Sequence, residues 1–206
     1  MRLIIGVLNL LLLTAIDASC YGHVPADGDI HATLGPFAFT NDDRKHEIKS
    51  PLIGAAALIV EADLDHNGGP EMAIFYLNQL FSMEREGRVI AERVQRIYIT
   101  LGYRHWLTPS LSGAAAFFSS YYMGDPELVR SDYGTEPAPK TSASDPTEYG
   151  FDFSIQYEPW RRERWSAVID GRYSLSVTAK EGEESNHFGV LVGVKYFVQG
   201  HETPPP

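Results

Sequence analysis

The sequence predicts an all-β chain that closes into an eight-stranded antiparallel up-and-down barrel, and two observations carry that prediction. The first is a period of two. From Tyr149 to Tyr157 every odd residue is apolar or aromatic (Tyr149, Phe151, Phe153, Ile155, Tyr157) and every even one is small or polar. After a short connection the rule resumes, with Trp165, Ala167, Ile169, Gly171, Tyr173, Leu175 and Val177 alternating with Ser166, Val168, Asp170, Arg172, Ser174 and Ser176. Such alternation gives an extended strand one apolar and one polar face. The second observation is that the connections alternate in length. Those at 65–69, 108–110 and 159–163 are tight, whereas those at 41–50, 125–148 and 179–187 are longer and charged, with 84–88 a short exception. Short turns at one end and long loops at the other are how bacterial transmembrane barrels are built.

In chain order, residues 1–20 read as an export signal: Met1 and Arg2 give a positive start, 3–16 a short apolar run, and Asp17-Ala18-Ser19-Cys20 a small-residue exit. Cys20 is the single cysteine, so cleavage there leaves no thiol to pair. Lipid attachment at Cys20 is disfavoured by Asp17, which stands where such signals carry an apolar residue. Residues 21–30 form a polar lead-in. Strands are expected at 31–40, 52–64, 72–83, 89–106, 111–123, 149–157, 165–178 and 188–198, so the barrel occupies 31–199. Eight strands suffice to close a small barrel. The first strand contains Pro36, and the third carries Phe75, Tyr76 and Leu77 on both faces. Residues 84–95 read alternatively as a helical turn. A Pro-rich tail, 200–206, follows. At 206 residues the whole is one domain.

Odd residues face outward in the fourth to seventh strands and even ones in the eighth. Tyr103, Tyr157, Trp165 and Tyr196 then gather at the short-turn end, and Tyr121, Tyr149 and Phe188 at the long-loop end. These two belts flank Ile97, Ile99, Leu101, Phe153, Ile169 and Val192, as interfacial girdles flank an apolar band. The opposite face collects Glu61, Arg96, Arg104, Asp152, Glu158, Asp170, Arg172 and Lys195. Four bases and four acids in a narrow lumen can pair, where a lone buried charge would be very costly. The expected result is a plugged barrel. The competing readings are a soluble sandwich with these charges outside, and a secreted lipocalin-like barrel holding an apolar ligand.

With the closing strand Phe188-Gly189-Val190-Leu191-Val192-Gly193-Val194-Lys195-Tyr196-Phe197, the loop asymmetry and the export signal, the chain resembles the small outer-membrane barrels of the OmpA/OmpX type over about residues 30–199. The resemblance implies the outer membrane of a Gram-negative cell, a lipid surround and the barrel-assembly machinery as a partner. It also implies an assembly-signal role for Phe197, although the chain continues to Pro206.

The formal net charge of -10 argues against nucleic acid as a partner. No nucleotide loop, zinc spacing or nucleophile elbow occurs, and neither a cofactor, a metal site nor a catalytic residue is expected. The one combination that can be drawn as a hydrolytic site is His105 with Ser110 and Glu158, which would make the chain a lipid-A-modifying barrel hydrolase. His105 has outward parity at the short-turn end, so an interfacial histidine is the plainer reading. Asp65-His66-Asn67-Gly68-Gly69 looks like the start of a calcium loop but lacks the later ligands, and reads as an Asn-Gly turn. Loop 125–148, with six acids, two bases and four prolines, is expected to be mobile. Its acidity would suit a cation or a basic extracellular partner. The expectation is a monomer with a structural or surface-interaction role and no enzyme activity.

Overall fold

Alternating side chains hold the backbone extended through β1 (Ile30–Asn41), β2 (Ile53–Ala62), β3 (Gly68–Arg85), β4 (Arg88–Thr108), β5 (Leu111–Tyr122), β6 (Glu127–Ser131), β7 (Thr147–Arg162), β8 (Trp165–Ser176), β9 (Glu183–Glu184) and β10 (His187–Gln199). The computed structural model describes residues 25–41, 53–65, 67–134, 137–180 and 183–199. The expected signal segment with Cys20, and the tail 200–206, lie outside the described residues. Eight of the described strands pair in the ring β1-β2-β3-β4-β5-β7-β8-β10, and β10 returns antiparallel to β1. Closure leaves no free edge in the ring, as a sheet surrounded by lipid requires.

The ring has the expected eight strands, with β6 and β9 additional, and the main departure lies at β3 and β4. These two form one unbroken hairpin, with pairing from Gly68 and His105 to Arg85 and Arg88. Residues 84–85 and 88–95 are therefore strand, joined by a tight turn, rather than a helical turn. The hairpin reverses at Glu86 and Gly87, both with positive φ (57° and 73°), the backbone that a two-residue type I′ turn needs. Strand β2 follows β3 only as far as Tyr76, and β5 follows β4 only down to Arg96. The hairpin tip thus stands clear of the ring at the long-loop end. There β6 pairs with residues 90–93 of β4, and β9 with Ser82 and Met83 of β3.

Among its described residues, loop 125–148 is partly structured. It contributes β6 and a 3-10 turn at Ser142–Ser144, and it buries Tyr133, Thr141, Ser142 and Ala143. Met83 and Ile90 pack on Tyr133, while Phe81 and Val94 pack on Ala143. Apolar residues on both faces of the hairpin tip explain the packing, since the tip needs a cover of its own.

Inside the ring, one half is apolar. Phe37, Phe39, Ile59, Phe75, Leu77, Tyr98, Phe118 and Leu191 form a single buried cluster. Glycine makes room for it at two positions: a Cβ on Gly189 would lie 2.1 Å from the Phe37 ring, and one on Gly150 would lie 2.4 Å from the Phe118 ring. The remaining interior is polar.

Candidate site in the barrel interior

Strand parity turns charged side chains of β2, β3, β4, β7, β8 and β10 into the lumen, where they form one chain of contacts along it. Arg172 donates to Glu71 at 2.7 Å, to Asp170 at 2.7 Å and to Asp152 at 2.9 Å. The Nε and Nη2 atoms of Arg104 both lie 2.5 Å from Glu71 Oε2, and Nη2 reaches Asp170 at 3.0 Å. Arg104 also lies 3.7 Å from Glu61, which Lys195 contacts at 2.7 Å, and Lys195 reaches Glu158 at 2.7 Å. The hydroxyls of Ser112 and Ser154 accept from Arg104, and that of Ser174 donates to Asp152. Every charged member is buried.

Among these contacts three cations face five carboxylates, whereas the sequence reading gives four of each, and Arg161 acts on Glu158 as well. Glu71 is the added acid: it bridges both arginines, and it stands at the head of β3 beside Pro70, ahead of the segment expected as strand. Arg96 lies elsewhere. It faces inward at the long-loop end, where it donates to the Ser120 hydroxyl at 2.7 Å and to the carbonyls of Ser142 at 3.2 Å and Asp145 at 3.4 Å, with its guanidinium 5.2 Å from the Phe81 ring. It joins the barrel mouth to the loop folded over it. Glu183 reinforces that loop by accepting from the Ser142 backbone and hydroxyl, and Lys180 bonds Thr141 and Asp145. On the outer side, Arg130 and the Val89 amide donate to Asp132 and hold its carboxyl below the usual range.

Glu148 lies opposite Ser120 and close to Arg96, Ser176 and Ser185. It is buried beside the Arg96 charge and the Ser176 and Ser185 hydroxyls, yet neither of its carboxylate oxygens makes a well-formed hydrogen bond among the described residues. A buried carboxylate with poorly formed hydrogen bonds is costly. Glu148→Gln should therefore leave stability unchanged or raise it by about 1–2 kcal/mol, measured by urea unfolding in micelles. A loss above about 1 kcal/mol would show that Arg96 depends on this carboxylate.

At the short-turn end Asp29, His31 and Asp63 are buried together, with donor atoms within 4.8 Å of one another. No motif announces them, because Asp29 lies in the lead-in and Asp63 just past β2. Asp65 behaves as a turn residue, its Oδ1 accepting from the amides of Asn67 and Gly68. His105 lies exposed on the outer face, whereas Glu158 points inward to Lys195. The two do not meet, so no hydrolytic arrangement with Ser110 exists.

The outer face is apolar from rim to rim. Tyr103, Tyr121, Tyr149, Trp165 and Phe188 are exposed, and Tyr157 and Tyr196 half-buried. Trp165 packs on Tyr196 at 4.6 Å and Phe117 stacks on Tyr149 at 5.8 Å. Between the belts, Leu101, Ile155 and Val192 are about 60 % exposed (64 %, 63 % and 58 %), which no water-facing sheet would sustain as a continuous band. Tyr149 to Tyr157 spans about 26 Å along the strand, or roughly 20 Å along the axis at a ~40° tilt, close to the apolar height of an outer membrane. Phe197 points inward: its ring meets His31 edge-on at 4.0 Å and lies 3.9 Å from the Arg161 guanidinium. Tyr196 and Val198 are its outward neighbours.

No family model matches the chain, and no curated protein matches it in sequence. Solved structures align with it, and the first shares its fold. The outer membrane protein OprG of Pseudomonas aeruginosa aligns over 87 % of this chain and 99 % of its own, with 10 % identity and a TM-score of 0.55. Ail, the attachment invasion locus protein of Yersinia pestis, solved with the heparin analogue sucrose octasulfate, aligns over 83 % of this chain and 100 % of its own, with 12 % identity and a TM-score of 0.44. The outer membrane protein AlkL, solved in lipid bilayers, aligns over 91 % and 97 % with 11 % identity and a TM-score of 0.40. The fold is that of a small outer-membrane β-barrel.

Proposed function

We propose that this chain is an integral outer-membrane protein whose barrel is a plugged scaffold for the cap at its long-loop end, and that the cap is its contact surface. The observation that carries the reading is the apolar outer band with aromatic rims around an interior occupied by the Glu71–Arg104–Arg172 ion network. Buried charge inside and exposed hydrophobes outside reverse the order of a soluble barrel, and only lipid makes that order favourable. The closing strand, with Tyr196 and Val198 outward and Phe197 inward, is the segment that assembly machinery would read.

The cap offers β6, whose Glu127, Leu128, Val129 and Arg130 are all exposed. It stands beyond the girdle, with apolar and charged side chains side by side, which suits a protein partner. Deleting 126–146 would also remove the Ser142 and Asp145 carbonyls that Arg96 holds. The cleaner test is Leu128→Asp with Val129→Asp.

In detergent the folded chain should migrate differently before and after boiling, and in planar bilayers it should show little steady conductance, since eight strands leave room only for side chains. The paired Leu128 and Val129 change should keep the heat shift and abolish surface contact. Recovery without detergent would refute membrane integration, stable channels would refute the plug, and undiminished contact would move the partner site off β6.

A further inference from the structure

We propose that Asp29, His31 and Asp63 form a binding site for one divalent transition-metal ion at the short-turn end of the barrel. Their ligand atoms, one imidazole nitrogen and two carboxylate oxygens, all lie within 4.8 Å of one another, and all three side chains are buried. His31 Nε2 is 3.1 Å from Asp63 Oδ2.

The backbone sets this meeting in advance. His31 lies opposite Glu61 in the β1–β2 register, so Asp29 and Asp63, each two residues farther along, fall on the same inward face. Two hydrogen bonds lock them side by side: the Asp63 amide donates to the Asp29 carbonyl at 2.9 Å, and the Gly28 amide to the Asp63 carbonyl at 2.9 Å. The edge-on Phe197 ring at 4.0 Å fixes the imidazole plane. His31 sits on β1 and the two aspartates just beyond the ends of β1 and β2, held there by those backbone bonds; three protein ligands that leave a fourth position for water are what an open zinc-type centre requires. Imidazole with carboxylate selects zinc and its first-row neighbours over calcium, which prefers six or more oxygens. Metal–ligand bonds of about 2.0–2.2 Å would bring the donors to about 3.3 Å apart, a change within reach of side-chain rotation.

Arg161 is the competitor. Its charge acts first on Glu158 and then on both Asp29 and Asp63, and its guanidinium sits over the Phe197 ring at 3.9 Å. A plain ion network would use Arg161 to balance the carboxylates, whereas a metal site would be weakened by it. The two accounts therefore predict opposite effects of removing it.

The test is calorimetric titration of Zn²⁺ into the full chain folded in micelles, repeated with Co²⁺ to read the visible ligand-field bands. One equivalent should bind. His31→Ala should lower the affinity by at least about 100-fold and erase the Co²⁺ bands while the heat shift of the barrel persists. Arg161→Gln should tighten binding. Should His31→Ala not fold, Asp29→Asn takes its place, with the same loss expected. The proposal is overturned if the unaltered chain binds no metal, if binding survives both ligand changes and so belongs to a surface histidine such as His105, or if Arg161→Gln only destabilises the barrel without strengthening binding.

Discussion

Replacing Arg172 with Ala should lower the stability of the folded barrel by about 3–5 kcal/mol, the range for removing one partner from a buried charge network. Arg172 touches three of the five carboxylates, Glu71, Asp152 and Asp170, and its guanidinium also lies 5.2 Å from the Phe75 ring at the edge of the aromatic cluster. Its loss leaves Arg104 and Lys195 as the contacting cations for five buried acids. The same imbalance predicts an asymmetry. Asp152→Asn keeps an acceptor for Arg172 and a partner for Ser174 while relieving the excess of negative charge, so it should cost less than about 1 kcal/mol. Urea unfolding in micelles, followed by fluorescence of Trp106, Trp160 and Trp165, measures both. Equal losses for the two variants would mean that the network is held by local hydrogen bonds rather than by its charge balance. Losses under about 0.5 kcal/mol for both would mean that these side chains are solvated.

How much of this was legible beforehand follows from what a period of two can encode. Parity tells which face a residue takes, and it does so for β7, β8 and β10 because their apolar sets run without interruption. It carries no information on height along the barrel or on partners across it. Arg96 and Arg104 share a face of β4, yet one holds the cap loop and the other the ion network. Glu71 meets Arg172 across 101 positions of sequence, and His31 meets Asp63 across 32, separations that no local motif spans. The hairpin tip was obscured for another reason: Glu84, Arg85, Glu86 and Arg88 surround a turn in solvent, and a charge run at a turn resembles a loop. Phe197, by contrast, was decided by its own register. With Val192, Val194 and Tyr196 outward, an odd residue in β10 points in.

Val192→Arg should cost about 2–4 kcal/mol when the barrel is folded in lipid, and far less if the outer face meets water. Val192 is midway along β10 between Phe188 and Tyr196, pairs with Ile169 of β8, and is 58 % exposed. In a bilayer this places the guanidinium near the centre of the hydrocarbon, four residues from either aromatic rim, where a long side chain gains least by reaching for the interface. The size of the loss should depend on depth. Arg in place of Tyr196 or Phe188, at the rims, should cost only about 0–1 kcal/mol beyond the lost ring contacts. A soluble barrel has no such gradient, because a charge on any outward position is then simply hydrated. Unfolding free energies for the three variants in vesicles of fixed thickness would therefore trace the membrane along one strand. A flat profile would remove the lipid band from the interpretation, and with it the physical reason for charge inside and hydrophobes outside.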